Sequence, residues 1–157
     1  MRFIYEQPGG GIAICMAASK ENLEQVLGPM SDESYRAHVL DKSVPPGVKN
    51  VFILADDWRP PQSRHFRNAW KLDGGQILVD MPTARNIQRN AIRAERAAQW
   101  VDFDIAAMRA LSRRDIAEVD AIEAAKQKLR DAPAHPAIEA AATPEQLAAI
   151  TLADVMA

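Results

Sequence analysis

The side chains able to do chemistry are scattered along this chain. Its three histidines, His38, His65 and His135, stand far apart, without the spacing of metal ligands. We expect each to be structural or solvated. Ser34 and His38 lie one helical turn apart with Asp32 nearby, so the members of a catalytic triad are present by name. Neighbours on one helix, however, supply neither an oxyanion hole nor an oriented third member. Asp56 and Asp57 are adjacent, whereas a catalytic carboxylate pair must face across a cleft, so they read as a turn or strand exit. The PGGGIA stretch lacks the Gly-Lys-Ser/Thr ending and the following helix of a phosphate loop. Cys15 is the one cysteine and sits in an apolar run. It excludes an intrachain disulfide or a cysteine metal site, and we expect it to be buried and inert. The expectation is a non-enzyme with no catalytic, metal-binding or cofactor-binding residues.

One charged pattern is more orderly. Arg85, Arg89, Arg93 and Arg96 recur at helical spacing and form one basic edge. We expect this edge to face a protein partner, pairing with acidic residues of a return helix or of a neighbouring subunit. With Arg67 and Lys71 it could instead follow a phosphate backbone. No nucleic-acid motif accompanies it and the net charge is −2, so nucleic acid is the disfavoured partner. The charge is unevenly spread. Segment 59–114 holds 11 basic and 5 acidic residues, and both flanking segments are acidic.

The elements that position these residues can be read from periodicity. Apolar runs 2–5 and 12–16 flank Gln7-Pro8-Gly9-Gly10-Gly11 and predict a hairpin. Ser19 and Ser31 each precede a short helical pattern, stopped by Gly28-Pro29 and by Val44-Pro45-Pro46-Gly47. Segment 48–55 reads as a strand, and Pro60-Pro61 belongs to a connection. Around Asp73-Gly74-Gly75 the residues alternate with period two, which predicts a second hairpin. Its apolar face would carry Phe66, Trp70 and Leu72, and Phe66 and Trp70 would anchor it on the helix that follows.

That helix is expected to have Asp80 as its N-cap and Pro82 in its first turn, and from there to about Leu111 no glycine or proline appears. Along it Ala84, Ile87, Ala91, Ala94, Ala98, Val101, Ile105 and Met108 recur at alternating steps of three and four. This is a heptad seam, closed either within the chain or against another copy. Trp100 and Phe103 lie off the seam and imply a second buried face. Ser112 to Asp115 could turn the chain into an antiparallel return helix striped by Ile116, Val119, Ile122 and Leu129. The rival is one uninterrupted helix. Thr143-Pro144-Glu145-Gln146 has a capping-box pattern and opens a short last helix, followed by a loose or docked end.

The expected fold is α+β: a small N-terminal α/β piece, a β-hairpin, then a long heptad-patterned helix in a helical hairpin with a short C-terminal helix. The expected divisions are a small α+β domain over 1–57, a Pro-Pro linker and hairpin over 58–80, and a helical domain over 81–157. Apolar residues make up 48% of the 157, enough for a core. No run approaches the roughly 20 apolar residues of a membrane helix, and the N-terminus lacks the apolar core of an export signal.

The order DDWRPPQSRHFRNAW, an acidic hairpin turn, VDMPTARNIQRNAIRAER, AAKQKLRD and HPAIEAAATPEQLAAI resembles a group of small phage and prophage tail-region proteins. These are described as tail assembly chaperone-like or tail-fibre-associated. The resemblance spans about Trp58 to Ile150, and FRNAW and AAATPEQ are its most specific parts. It implies a non-enzymatic protein of the tail tip or tail fibre that contacts other tail proteins. It implies a location in the virion, or in the host cytoplasm during assembly, and no catalytic residues. A tail assembly chaperone absent from the finished particle is the alternative, and a nucleic-acid-binding regulator a more distant one. The heptad seam adds the expectation of a homo-oligomer.

Overall fold

A computed structural model describes residues 1–156. The chain forms two compact units, Met1–Asp80 and Met81–Ala157. Segment 58–80 therefore belongs to the first unit rather than forming a piece of its own.

In the first unit, β1 (Arg2–Glu6), β2 (Ile12–Met16) and β3 (Val51–Leu54) form an antiparallel sheet in the order β2-β1-β3. Alternation along β1 sends neighbouring residues to opposite faces. Phe3 and Tyr5 point to one face and join Ala13, Tyr35 and Val39 in a buried cluster. Two helices supply that cover, α1 (Lys20–Leu27) and α2 (Asp32–Ser43). Each is capped as the serines predict: Ser19 accepts from the Asn22 amide and Ser31 from the Ser34 amide. Tyr35 and Val39, one turn apart, face the sheet, and the Tyr35 hydroxyl donates to the Ala18 carbonyl at 2.6 Å.

The opposite face of β1 carries Ile4, which is fully buried with Ile12 and Trp70. Trp70 opens the second hairpin, β4 (Trp70–Asp73) and β5 (Gln76–Val79), whose turn glycines Gly74 and Gly75 both have positive φ. That is the backbone a two-residue hairpin turn demands. A Cβ on Gly75 would also come within 3.2 Å of the Phe52 ring. Trp70 pairs with Val79 and Leu72 with Ile77, so all four present one apolar face to the first sheet. The expected anchor Trp70 is thus buried on the sheet of its own unit. Half of the N-terminal sheet needed a cover, and the largest side chain of the hairpin provides it. Phe66 is buried too, but on the loop ahead of a 3-10 turn at Arg67–Ala69 and edge-on to His65, not on a strand.

The second unit is helical. α3 (Met81–Arg113) returns through α4 (Ile116–Asp131), so the single uninterrupted helix does not occur. A 3-10 turn (Ala132–Ala134) and three short helices follow: α5 (Pro136–Ala140), α6 (Pro144–Ala148) and α7 (Leu152–Met156). Their apolar residues Ile138, Leu147, Leu152 and Val155 are buried, so of the two expected endings, loose or docked, the docked one is found. The turn after α3 is a Schellman arrangement. Asp115 N–H donates to the Ala110 carbonyl and Arg114 N–H to that of Leu111, with Arg114 at φ 56°. Asp115 then caps α4 by accepting from the Glu118 amide.

Three stability changes are expected. Trp70→Ala should cost about 3–5 kcal/mol in denaturant unfolding. Trp70→Phe should cost far less, because it keeps most of the ring and removes an indole N–H that has no hydrogen-bond partner. Arg114→Gly should raise the melting temperature by relieving about 1 kcal/mol of left-handed backbone strain at that turn.

Candidate interaction face on the long helix

The candidate catalytic groups are occupied in structural tasks. The Ser34 hydroxyl accepts from that of Ser31, which caps α2. His135 accepts from the Ala137 amide through Nδ1 and caps α5. Cys15 is half-buried on β2. It lies beside Tyr5, whose pKa is raised by burial and further by the neighbouring thiol. Among the described residues no group of three His, Cys, Asp or Glu is placed to hold a metal ion. No helix among them is long and apolar enough to cross a membrane.

The arginine row turns onto its own chain. Arg85 donates to the carbonyls of Ile138 and Ala141, both at 3.2 Å. Arg89 is paired with Glu139 and also donates to Asn86. Arg96 donates to the carbonyls of Leu129 and Arg130 at 3.1 and 2.8 Å. These are carbonyls near the ends of α4 and α5, where intrahelical donors run out and the helix dipole is negative. Two uncharged or acidic neighbours work the same way. Gln88, itself buried, donates to the Ile150 carbonyl at 2.7 Å, and Glu95 accepts from the Leu152 amide at 3.2 Å. Arg93 alone of the row is exposed, and among the described residues it donates to Asn90. The basic edge expected to face a partner is therefore mostly an internal set of polar fingers. Acidic side chains were the partners sought in the sequence. Main-chain carbonyls carry no sequence signal, so those partners could not be read.

The heptad seam also needs correction. Ala84 is fully buried, and Ile87 and Ala91 are half-buried. Beyond them Ala94 and Ala98 are exposed, and Val101, Ile105 and Met108 are 61%, 44% and 68% exposed. The face that α3 gives to its own unit is a different stripe: Ala84, Gln88, Ile92, Arg96, Trp100, Phe103, Ala107 and Ala110 are buried or half-buried. It begins on the seam and advances as far as Trp100 in steps of four, each rotating about 40° further round the helix. By the second half of α3 the two stripes lie about 150° apart. Trp100 and Phe103 accordingly occupy the inner face, where Arg130 of α4 stacks on the Trp100 ring at 5.6 Å.

The same α3–α4 contact holds Lys126, buried on α4. Its ammonium donates to Asp104 at 2.8 Å and to Glu123 at 3.0 Å. These hydrogen bonds, Asp104 first, keep its pKa above the ordinary lysine value. What remains on the outer side is an apolar strip with a shallow depression at Ile105 and Met108.

No protein family, curated protein or solved structure matches this chain. The chemical character of the face therefore carries the functional reading. The inward role of the arginines has a direct check. Arg96→Ala should lower the stability of the helical unit by about 2 kcal/mol in thermal unfolding. Arg93→Ala should change it by less than about 0.5 kcal/mol.

Proposed function

We propose that this chain is a structural protein of a phage tail, in the tail-tip or fibre region, that works through protein–protein contacts and performs no catalysis. The observation that carries the contact role is the second apolar stripe of α3. A helix already packed on α4 has no internal use for exposed Val101, Ile105 and Met108 at heptad spacing. The tail context is carried by the resemblance of segment 58–150 to phage tail-region proteins. Nucleic-acid binding through the arginine row loses its basis where Arg85, Arg89 and Arg96 are turned onto carbonyls and Glu139 of the same unit.

Composition of the intact particle tests the tail assignment. Mass spectrometry of purified particles, quantified against the other tail proteins, should find this polypeptide at a fixed copy number. Its absence from particles while it is abundant in infected cells would replace the structural role with that of an assembly chaperone.

A further inference from the structure

The outer stripe of α3 is unpartnered, and we propose that its occupant is the same stripe of a second copy, running antiparallel about a two-fold axis between Ile105 and Met108. This deepens the contact reading given above. In an antiparallel pair, a positions pack on d positions of the other helix. With Ala98 and Ile105 at a, and Val101 and Met108 at d, Ile105 of each copy meets Met108 of the other. Val101 meets Ser112. Each contact occurs twice, as an isologous interface requires.

The charges on the rim select this arrangement. Asp102 and Arg109 lie on one edge of the stripe, two turns apart. Neither has an ion-pair partner among the described residues. Antiparallel pairing in this register places Asp102 of one copy against Arg109 of the other, twice. A parallel pair would ask Arg109 to meet Asp104 instead. That carboxylate is already held by buried Lys126 at 2.8 Å, so meeting Arg109 would disturb the α3–α4 contact. An antiparallel pair centred half a heptad earlier, between Val101 and Ile105, would set Asp102 against Asp102 and Asp104 against Asp104, which is repulsive. The register about Ile105 and Met108 both uses the free charges and leaves the internal ones alone. It also covers the most exposed apolar side chain of the stripe, Met108.

Size-exclusion chromatography with light scattering, across a dilution series of the full chain, should show a dimer that dissociates on dilution. Val101→Glu combined with Ile105→Glu should give a monomer with unchanged helical circular dichroism, because both side chains are exposed in the single chain. Asp102→Arg and Arg109→Asp should each weaken the dimer about tenfold, and the two together should restore it. A wild-type chain that is monomeric at every concentration overturns the proposal, and so does a dimer that survives the double glutamate change. A dimer that the glutamates abolish but the double charge swap fails to restore overturns the antiparallel register. Particle composition is unaffected by any of these outcomes, so failure here is distinguishable from failure of the tail assignment.

Discussion

A helix whose apolar residues follow two different periods cannot bury both on one neighbour, and α3 is such a helix. Near Ala84 the two stripes coincide, and the short helices of the C-terminal segment pack there. Beyond Ile92 the stepping by four carries the inner stripe toward α4, while the alternation of three and four carries the seam away from it. The two-faced character of α3 is thus a matter of arithmetic along one stretch of chain. Helix α4, the Schellman turn that reverses the chain, and the docking of the last three helices all depend on which stripe meets its own chain.

The polar residues of α3 make that choice specific. Apolar burial alone would tolerate sliding of the small alanine-rich surfaces past one another. Arg85, Gln88, Glu95 and Arg96 each reach a main-chain group at a defined place in the C-terminal segment. Hydrogen bonds to main chain fix register independently of side-chain bulk, and a charged donor on a carbonyl is stronger than a neutral one. A core poor in large side chains is in this way held in a single alignment.

Much of the architecture was legible because it depends on local signals. Ser19, Ser31, Gly28 and Asp73-Gly74-Gly75 act within a few residues of themselves, and their elements appear where the pattern puts them. Strand β3 is shorter than the apolar run from 48 to 55, since pairing with β1 reaches only Val51 to Leu54. The packing of Trp70 on the N-terminal sheet was not legible, because period alone does not say which surface will receive an apolar face. Helices α5 and α7 were missed because each is a single capped turn or little more, below the length at which periodicity can be seen. The αL turn at Arg114 had no glycine to announce it. The heptad seam itself was visible in the sequence, but its exposure was not, since exposure is decided by the competing inner stripe.

The two-sided burial of β1 bears on how the first unit comes into being. Ile4 is covered by Trp70, far along the chain, and Phe3 by Tyr35 and Val39. High sequence separation between contacting residues slows folding, because loop closure must precede the reward of contact. During synthesis the three-stranded sheet can assemble once β3 has emerged, yet one of its faces stays bare until the hairpin ending at Val79 is also free of the ribosome. The N-terminal unit should therefore pass through a state with helices on one side and an uncovered Ile4, Ile12 and Ile14 surface on the other. That interval, rather than the finished protein, is when this half of the chain is most exposed to aggregation.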